Sequence, residues 1–256
     1  MNHRPERLDQ ELALLARYYD ARHGSFQEDV DFYRQLAQGR DLVLELGCGT
    51  GRLLAPLAEE ARLVVGIDRS AAMLARAQER LRGAGPGPRV SLVAADLRDW
   101  ACQGAELAVA ALNTLSHFTD LPSQERVLAS TRRSLRDGGL LALDVPNPHV
   151  EMDARPTGVA VLEATYRTPE GTLMEWSVAE VARASQLLTI RSLYDLCGGS
   201  GIRRQTTVFD LYLYYLPELT LLLERAGFRV EATWGDYDAA PYRDDSPRLL
   251  CLARAV

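Results

Sequence analysis

The chain has 256 residues, of which 47% are apolar and 25% are charged, and this length and composition are typical of a protein with one full-sized globular core. Its formal charge is −6 and all 29 basic side chains are arginine, which excludes enzymes that need a lysine nucleophile or a Walker-loop lysine. An acidic chain without a basic run is also a poor fit to nucleic acid, so no nucleic-acid partner is expected.

The cysteines and the N-terminus indicate a metal-free protein of the cytoplasm. The four cysteines lie 54 or more residues apart, without the short Cys and His intervals of a zinc site. The chain begins MNHRPERLDQ, which lacks the apolar stretch of a signal peptide, and no run of 18 apolar residues occurs. We therefore expect a cytoplasmic protein with reduced thiols, no membrane contact and no metal.

In chain order, the first 38 residues predict two helices, because apolar residues recur there at helical spacing. The positions are Leu8, Leu12, Leu15 and Tyr19 in the first helix, and Val30, Phe32 or Tyr33, and Leu36 in the second. From Asp41 onward, short apolar runs alternate with helical segments, which predicts a parallel sheet with helices on both faces. The predicted strands are 41–46, 62–67, 89–94, 106–112 and 140–145.

The intervening helices carry boundary signals. Ser70 is a predicted N-cap of a helix that ends at Gly83, and Asp120 with Pro122 opens a helix that ends at 137–139. After Pro148, four β-rich segments between 158 and 215 follow one another without a crossover helix, which predicts an antiparallel insertion. A helix at 217–226 and strands at 228–234 and 248–255 complete the chain.

These elements predict an α/β fold. We expect a doubly wound, seven-stranded, mostly parallel sheet with an antiparallel β insertion before the last two strands. Three parts are predicted: an N-terminal helical cap over 1–40, a core formed by 41–150 and 216–256, and the insertion over 151–215, which is expected to cover the substrate at the carboxyl edge of the sheet.

A glycine-rich loop in ELGCGTGRLL follows the first strand and opens a helix, with glycines at positions 47, 49 and 51. Glycine there lets the backbone turn tightly and approach a ligand. The dinucleotide fingerprint expects a glycine where Arg52 stands, which disfavours NAD. Asp68 and Asp96 end the second and third strands, where a carboxylate can accept hydrogen bonds from a ligand such as a ribose diol. Since the carboxyl ends of parallel strands share one edge, the loop and both aspartates are expected to bind one ligand.

With these motifs, the sequence resembles the class I S-adenosylmethionine-dependent methyltransferases that act on small molecules. The matching segments are ELGCGTG at 45–51, GIDRSAAML at 66–74, AADLRDW at 94–100, ALNTLSHF at 111–118 and LRDGGLLALDVPNP at 135–148. The resemblance implies a Rossmann-like methyltransferase fold, S-adenosylmethionine as cofactor, and direct transfer of its methyl group to nitrogen or oxygen of a small acceptor. A cofactor without phosphate needs no lysine in the loop.

The resemblance also implies roles for residues near the glycine loop. The backbone of Gly47 and Gly49 is expected to face the methionine part of the cofactor, and Asp68 the ribose hydroxyls. The neighbouring residues Cys48 and Arg69 are included in the predicted cofactor site.

Five further residues complete that site. The Asp96 side chain is expected to face the exocyclic amine of adenine, Met73 to pack on adenine, and the Leu97 backbone to meet the ring. Asn113 is expected to flank the methionyl group. Tyr19 belongs to a YYD motif that closes over the cofactor in similar proteins.

On the acceptor side, His117 follows a core strand at the cofactor end, so it is the candidate for a base or for a group that orients the acceptor, the alternative being a histidine bonded in a turn. Arg203 and Arg204 are candidates for binding an acidic acceptor, unless they form a solvated edge. Aromatic residues suit an apolar or cationic acceptor but equally suit strand packing; they are Trp176, Tyr194, Tyr212, Tyr214, Tyr215, Tyr237 and Tyr242.

Alternative functions stay open at this point. The chain is expected to methylate a small molecule, but methylation of a protein or RNA, and a catalytically silent partner protein that binds the cofactor, are the other hypotheses. The identity of the acceptor, a monomeric or homodimeric state, and a role of the insertion as lid or subunit contact are likewise open.

Overall fold

The computed structural model describes residues 16, 18–20, 23–24, 26–83, 89–154, 157–199 and 201–256. Its α-helices are α1 (Val30–Ala37), α2 (Leu54–Glu60), α3 (Ala71–Gly83), α4 (Leu121–Ser134), α5 (Pro148–Ala154) and α6 (Leu216–Arg225). Its strands are β1 (Leu42–Leu46), β2 (Leu63–Asp68), β3 (Val90–Ala94), β4 (Ala105–Ala110), β5 (Leu135–Pro146), β6 (Ala160–Thr168), β7 (Gly171–Ala182), β8 (Leu187–Gly198), β9 (Gly201–Tyr212), β10 (Phe228–Trp234) and β11 (Arg248–Ala255). Short 3₁₀ turns lie at Leu115–His117 and Arg183–Ser185.

The main sheet has seven strands in the order β10-β11-β5-β4-β1-β2-β3. The pairs of β1, β2, β3, β4 and β5 are parallel, whereas β11 runs antiparallel to β5 and β10. The chain therefore winds outward from β1 to β3 and then returns to β4 on the other side of β1. This confirms the predicted doubly wound sheet, and it places a crevice between the carboxyl ends of β1 and β4.

Helices cover both faces of this sheet, which explains why its central strands are apolar on both sides. One face packs on α1 and α2 through buried residues such as Tyr33, Leu54 and Leu57. The other face packs on α4 and α6, with Leu128 and Leu223 fully buried. The core thus holds the carboxyl edge of the sheet rigid, and the loops on that edge carry the polar residues.

The insertion forms a separate four-stranded antiparallel sheet in the order β6-β7-β8-β9, here called the cover sheet. Alternate residues face inward, so Glu175 pairs with Tyr194 and Tyr194 with Gln205 in one inner row. Phe209 lies further along the inner face of β9 and contacts His117, with ring centroids 5.8 Å apart. The inner face of the cover sheet therefore meets the carboxyl edge of the main sheet.

Local signals located most element boundaries correctly, and one was wrong. Met73 donates its backbone N–H to the Ser70 hydroxyl at 3.3 Å, as expected of an N-cap. The helix opened by Asp120 ends at Ser134 rather than at 137–139, because Leu135 already pairs with Ala105 at the start of β5.

Three further expectations concern the N-terminus, membranes and metal ions. The second predicted helix is present as α1, whereas Leu8, Leu12 and Leu15 lie outside the described residues. Within the part of the chain that the structure describes, no helix has the length and apolar character needed to span a membrane. The same residues contain no cluster of three His, Cys, Asp or Glu side chains arranged for a metal ion.

Candidate cofactor and acceptor site

The three glycines of the loop after β1 have positive φ angles but different surroundings. A Cβ at Gly47 would lie 2.8 Å from the Thr114 side chain, and one at Gly51 would lie 2.9 Å from Ala77 and Leu54. A Cβ at Gly49 would meet nothing within 4 Å. Gly47 and Gly51 therefore permit close packing of the loop, and Gly49 is the position where the backbone borders open space for a ligand.

Asp68, at the end of β2, is bonded to the same loop. Its Oδ2 accepts the Gly49 N–H at 2.9 Å and its Oδ1 accepts the Ser70 N–H at 2.8 Å. Burial raises the pKa of this carboxyl, while the Ser70 and Gly49 N–H groups oppose that rise. Each oxygen keeps a further lone pair, so Asp68 can accept two more hydrogen bonds from a ligand diol.

Glu45, near the end of β1, is a functional candidate that the sequence analysis missed. The residue is buried, and its Oε2 has no hydrogen-bond partner among the described residues. Burial raises the pKa of Glu45 to about 8, Arg52 opposes this rise, and Asp29 and Asp68 add to it. A buried carboxylate oxygen without a partner is costly, and a cationic ligand group would remove that cost. Its position as the first residue of the ELGCGTG motif was the signal that could have identified Glu45.

Asp96 and its neighbours follow β3 at the carboxyl edge of the main sheet. Asp96 is engaged by Arg98, whose guanidinium donates to Oδ1 at 3.0 Å and to Oδ2 at 2.7 Å. The side-chain bond from Arg98 lowers the pKa of Asp96 to about 2, so this residue is an anionic acceptor. Met73 and Leu97 are buried, and Arg69 is exposed. A contact between any of these residues and a cofactor stays a prediction.

The side chain of Cys48 is packed against the sheet. Its backbone N–H donates to Ile67, and its carbonyl accepts the Gly51 N–H at 2.9 Å. Its Sγ lies 3.0 Å from the position that a Cβ on Gly66 would take. The thiol thus fills space beside β2, and burial raises its pKa.

Asn113, after β4, is held by a buried network. The backbone φ angles of Leu112 and Asn113 are 45° and 70°, and Asp144 fixes this turn because its Oδ2 accepts the Leu112 N–H at 3.0 Å. Arg248 donates to Asp144 and to the Asn113 Oδ1. Since arginine has only donors, the Asn113 amide oxygen must face Arg248, which directs its NH₂ group away from Arg248. Tyr237 also donates to Asp144, at 2.6 Å.

The loop that carries Tyr237 is itself anchored by Asn147. Asn147 is fully buried, and its Nδ2 lies 2.7 Å from the carbonyl of Ser246 and 3.0 Å from that of Asp244. Its Oδ1 accepts the Tyr242 hydroxyl at 2.9 Å. Sequence reasoning missed Asp144, Asn147 and Arg248; the signal was a set of polar residues at the ends of two adjacent buried strands.

His117 lies on the 3₁₀ turn after β4, where its ring contacts Phe209 of the cover sheet. The side chain is exposed, yet the surrounding protein desolvates the imidazole and lowers its pKa to about 4. The imidazole is therefore neutral at pH 7 and can donate or accept one hydrogen bond on each nitrogen.

Residues 18–20 contact both the cover sheet and the glycine loop. The Tyr18 ring stacks on Tyr194 of the cover sheet at 4.9 Å. The Tyr19 ring packs on His23 in a tilted arrangement, with centroids 4.5 Å apart. Burial raises the pKa of Tyr19 to about 12, and the charges of Arg52, Glu45 and Asp68 also act on it. The Asp20 carboxylate accepts the Thr50 hydroxyl of that loop at 2.7 Å.

Arg52, where the dinucleotide motif would have glycine, forms a buried ion pair. Its two terminal nitrogens donate to the two Asp29 oxygens, both at 2.6 Å, and one of them also donates to the Phe26 carbonyl at 3.0 Å. Asp29 is fully buried. Arg52 therefore ties residues 26–29 to the glycine loop, a role that the sequence analysis did not predict.

The aromatic residues of the insertion do not form one cage. Tyr214 is fully buried in the core, and Tyr215 packs on His149 at 5.3 Å. Tyr212 donates to Glu218 at 2.5 Å. Trp176 pairs with Leu193 in the row that faces outward. These residues serve mainly in packing, and Tyr237 is linked to Asn113 through Asp144 and Arg248.

Arg203 and Arg204 are not placed to bind an acidic ligand in the cleft. Arg204 donates to both oxygens of Asp195, each at 2.7 Å, on the outward face of the cover sheet. Arg203 lies 3.5 Å from Glu170 at the exposed edge. These contacts favour the alternative hypothesis that the two arginines form a solvated edge.

The groups around Gly49 suit a cationic nucleoside without phosphate. Asp68 offers free lone pairs for a diol, and Glu45 offers a buried oxygen without a partner. Arg52 is already neutralised by Asp29, so the loop presents no free cation for a phosphate. S-Adenosylmethionine, with its ribose diol, ammonium and sulfonium groups, fits this donor and acceptor set.

Comparisons with known proteins agree with this chemistry. Residues 43–139 match the family model described as a methyltransferase domain. The chain is 30% identical to the trans-aconitate 2-methyltransferase of Variovorax paradoxus, over 96% of each chain. Among solved structures, the CcbJ methyltransferase from Streptomyces caelestis has a TM-score of 0.79 at 22% identity, covering 94% of this chain and 96% of that one. An amino pentose methyltransferase from Micromonospora echinaspora, with S-adenosylmethionine bound, has a TM-score of 0.71 at 20% identity, covering 93% and 96%.

Proposed function

We propose that this chain, which belongs to the class I S-adenosylmethionine-dependent methyltransferases, methylates the nitrogen of a small amine held beneath the cover sheet. Membership in the family establishes methyl transfer from S-adenosylmethionine, and the nature of the acceptor is the proposed part. When bound, S-adenosylmethionine supplies a methyl group activated by its sulfonium centre. The observation that supports a small acceptor is the contact of His117 with Phe209, because it shows that the cover sheet lies over the carboxyl edge of the main sheet and limits the space there.

The chain's own residues contribute alignment and exclusion of water. Asp68 and Glu45 are proposed to hold the ribose diol and the ammonium group, which fixes the methyl group relative to the edge of the sheet. His117 and the NH₂ group of Asn113 are proposed to bond the acceptor and aim its lone pair. Holding two reactants in line in this way can contribute about 7 to 11 kcal/mol.

The low pKa of His117 favours an amine over a hydroxyl acceptor. A hydroxyl nucleophile normally needs a base, and a base works best when its pKa lies near the working pH. A group with a pKa of about 4 is a weak base at pH 7. An amine only has to be deprotonated before it attacks, so a neutral imidazole that orients it is sufficient.

A carboxylate acceptor is the second candidate, since relatives named as trans-aconitate 2-methyltransferases share 30% identity with the chain. A carboxylate also needs no base. The charges near Asn113 disfavour a carboxylate acceptor, because Arg248 is bonded to Asp144 and Arg52 is bonded to Asp29. Neither arginine keeps an unmatched charge for a polycarboxylate.

A direct assay tests the acceptor class. We expect formation of S-adenosylhomocysteine with a hydroxylated primary or secondary amine, and none with the matched alcohol or with trans-aconitate. Turnover of trans-aconitate without turnover of any amine would support the carboxylate candidate. Binding of S-adenosylmethionine together with transfer only to a protein or RNA, or with no transfer at all, would support the macromolecular or silent alternatives.

Asp68 provides a first prediction for the cofactor site. Asp68→Ala is expected to weaken binding of S-adenosylhomocysteine by about 1.5 to 3 kcal/mol, because hydrogen bonds to a charged acceptor are lost. Calorimetry gives the affinity, and Asp41→Asn, which changes an exposed aspartate at the opposite end of β1, is the control. Equal affinity of Asp68→Ala and the unchanged protein would remove Asp68 from the site.

A further inference from the structure

Three consecutive residues of the N-terminal segment contact three different parts of the molecule. Tyr18 reaches the cover sheet, where its ring stacks on Tyr194 and its hydroxyl lies 3.3 Å from the Gln205 Oε1. Tyr19 packs on His23 with ring centroids 4.5 Å apart, and the charges of Arg52, Glu45 and Asp68 act on its phenol. Asp20 bonds the glycine loop and α3. A single helical turn therefore joins cofactor loop and cover sheet, with a phenol between them.

The Asp20 carboxylate forms the contacts with the glycine loop and α3. One oxygen, Oδ1, accepts from the Thr50 hydroxyl and from Arg80, both at 2.7 Å, and the other lies 3.7 Å from Arg76. Thr50 stands between Gly49 and Gly51 and is almost fully buried. A hydrogen bond to a charged oxygen is stronger than one between neutral groups. Asp20 thus fixes residues 18–20 to the loop segment that borders the ligand space.

A second attachment of the N-terminal segment differs in exposure. The Arg52 and Asp29 side chains are 7% and 0% exposed, whereas those of Asp20 and Arg80 are 30% and 31% exposed. Breaking the buried pair would leave an uncompensated charge in the core, but the Asp20 contacts can exchange with water at low cost. The attachment through Arg52 and Asp29 is consequently the more costly one to break, and the attachment through Asp20 is the one that water can more readily replace.

We propose that Asp20 is a positioning residue that holds Tyr19 over the bound cofactor by clasping residues 18–20 to Thr50 of the glycine loop and to Arg80 of α3. The clasp slows release of the cofactor and does not touch the reacting atoms. This proposal rests on the methyltransferase function only through cofactor binding, and it extends the predicted role of Tyr19 to the residue that fixes it.

The test measures S-adenosylhomocysteine binding rather than turnover. Asp20→Ala is expected to raise the Kd by about tenfold, through faster dissociation in stopped-flow displacement, because bonds to a charged oxygen are lost. Thr50→Val is expected to give part of this loss, and Thr50→Ser, which keeps the hydroxyl, to restore it. Asp20→Ala combined with Thr50→Val is expected to bind no more weakly than Asp20→Ala alone.

Two further measurements separate a clasp from general destabilisation. Asp41→Asn removes the charge of another aspartate that faces an arginine, Arg62 at 3.6 Å, and is expected to leave the Kd and the melting temperature unchanged. In hydrogen exchange, S-adenosylhomocysteine is expected to protect peptides covering residues 16–30 in the unchanged protein but not in Asp20→Ala.

The outcomes are distinct. Asp20→Ala binding within twofold of the unchanged protein, or equal protection of residues 16–30, would overturn the clasp while leaving the proposed function intact. A Kd that rises equally in Asp41→Asn would also overturn it. Failure of the unchanged protein to bind S-adenosylhomocysteine would contradict the clasp and the proposed function together.

Discussion

Replacing His117 with alanine is expected to lower kcat by about 100-fold, the scale by which misalignment of a bound reactant slows a reaction. The imidazole contacts Phe209 of the cover sheet, where it is proposed to bond the acceptor, whereas the cofactor is proposed to lie at the loop around Gly49. The affinity for S-adenosylhomocysteine is therefore expected to stay within about twofold of the unchanged protein. Steady-state kinetics and calorimetry on the same variant measure the two quantities.

The pH profile distinguishes orientation of the acceptor from base catalysis. Desolvation by the surrounding protein lowers the pKa of His117 from the usual 6.5 to about 4, so we expect the imidazole to stay neutral as the pH falls from 8 to 5. Protonation of His117 is therefore not expected to limit turnover between pH 5 and 8. His117→Gln, which keeps a hydrogen-bonding group, is expected to restore part of kcat and to show the same fall of kcat at low pH as the unchanged protein. Absence of that fall in His117→Gln would identify His117 as the base.

Replacing Arg52 with alanine is expected to reduce the free energy of unfolding by about 3 to 5 kcal/mol, the usual cost of removing one partner of a buried ion pair. Asp29 is fully buried and accepts two bonds from Arg52, so its charge would be left without compensation. Arg52→Lys is expected to recover only part of the loss, because an ammonium cannot form the two parallel bonds. Urea unfolding followed by circular dichroism gives the values.

An exposed pair serves as the control for Arg52. Arg62 and Asp41 lie 3.6 Å apart with both side chains more than two thirds exposed, and Arg62→Ala is expected to cost less than about 1 kcal/mol. A similar small loss in Arg52→Ala would show that Asp29 is solvated and that residues 26–29 are not anchored through this pair.

The sequence predicted the elements whose signals are local. The alternation of apolar runs with capped helices led to the seven-stranded sheet, and Ser70 and the glycine loop act as their sequence context indicates. The start of β5 was missed because the Asp137-Gly138-Gly139 run looks like a helix stop, whereas the pairing of Leu135 with Ala105 is set by a strand far along the chain.

The difference between local signals and contacts with distant strands also explains which site residues were not predicted. Asp68 stood out because it ends a predicted strand, and the structure bonds it to Gly49 of the loop. The contact of Arg248 with Asp144 joins residues 104 positions apart and depends on the adjacency of β11 and β5, which a single sequence does not specify. Likewise, the opposite faces of the cover sheet decide that Arg204 meets Asp195 rather than a ligand.

The cover sheet also has an evolutionary consequence. Among the described strands, the ladders of the cover sheet lie within residues 160–212 and those of the main sheet lie outside that range. Mutations, insertions or even exchange of the whole hairpin series can therefore accumulate without breaking a hydrogen bond of the cofactor-binding sheet. Acceptor preference is free to diverge faster than cofactor binding, so two proteins that share this core closely can descend from one ancestor and still act on chemically unlike acceptors.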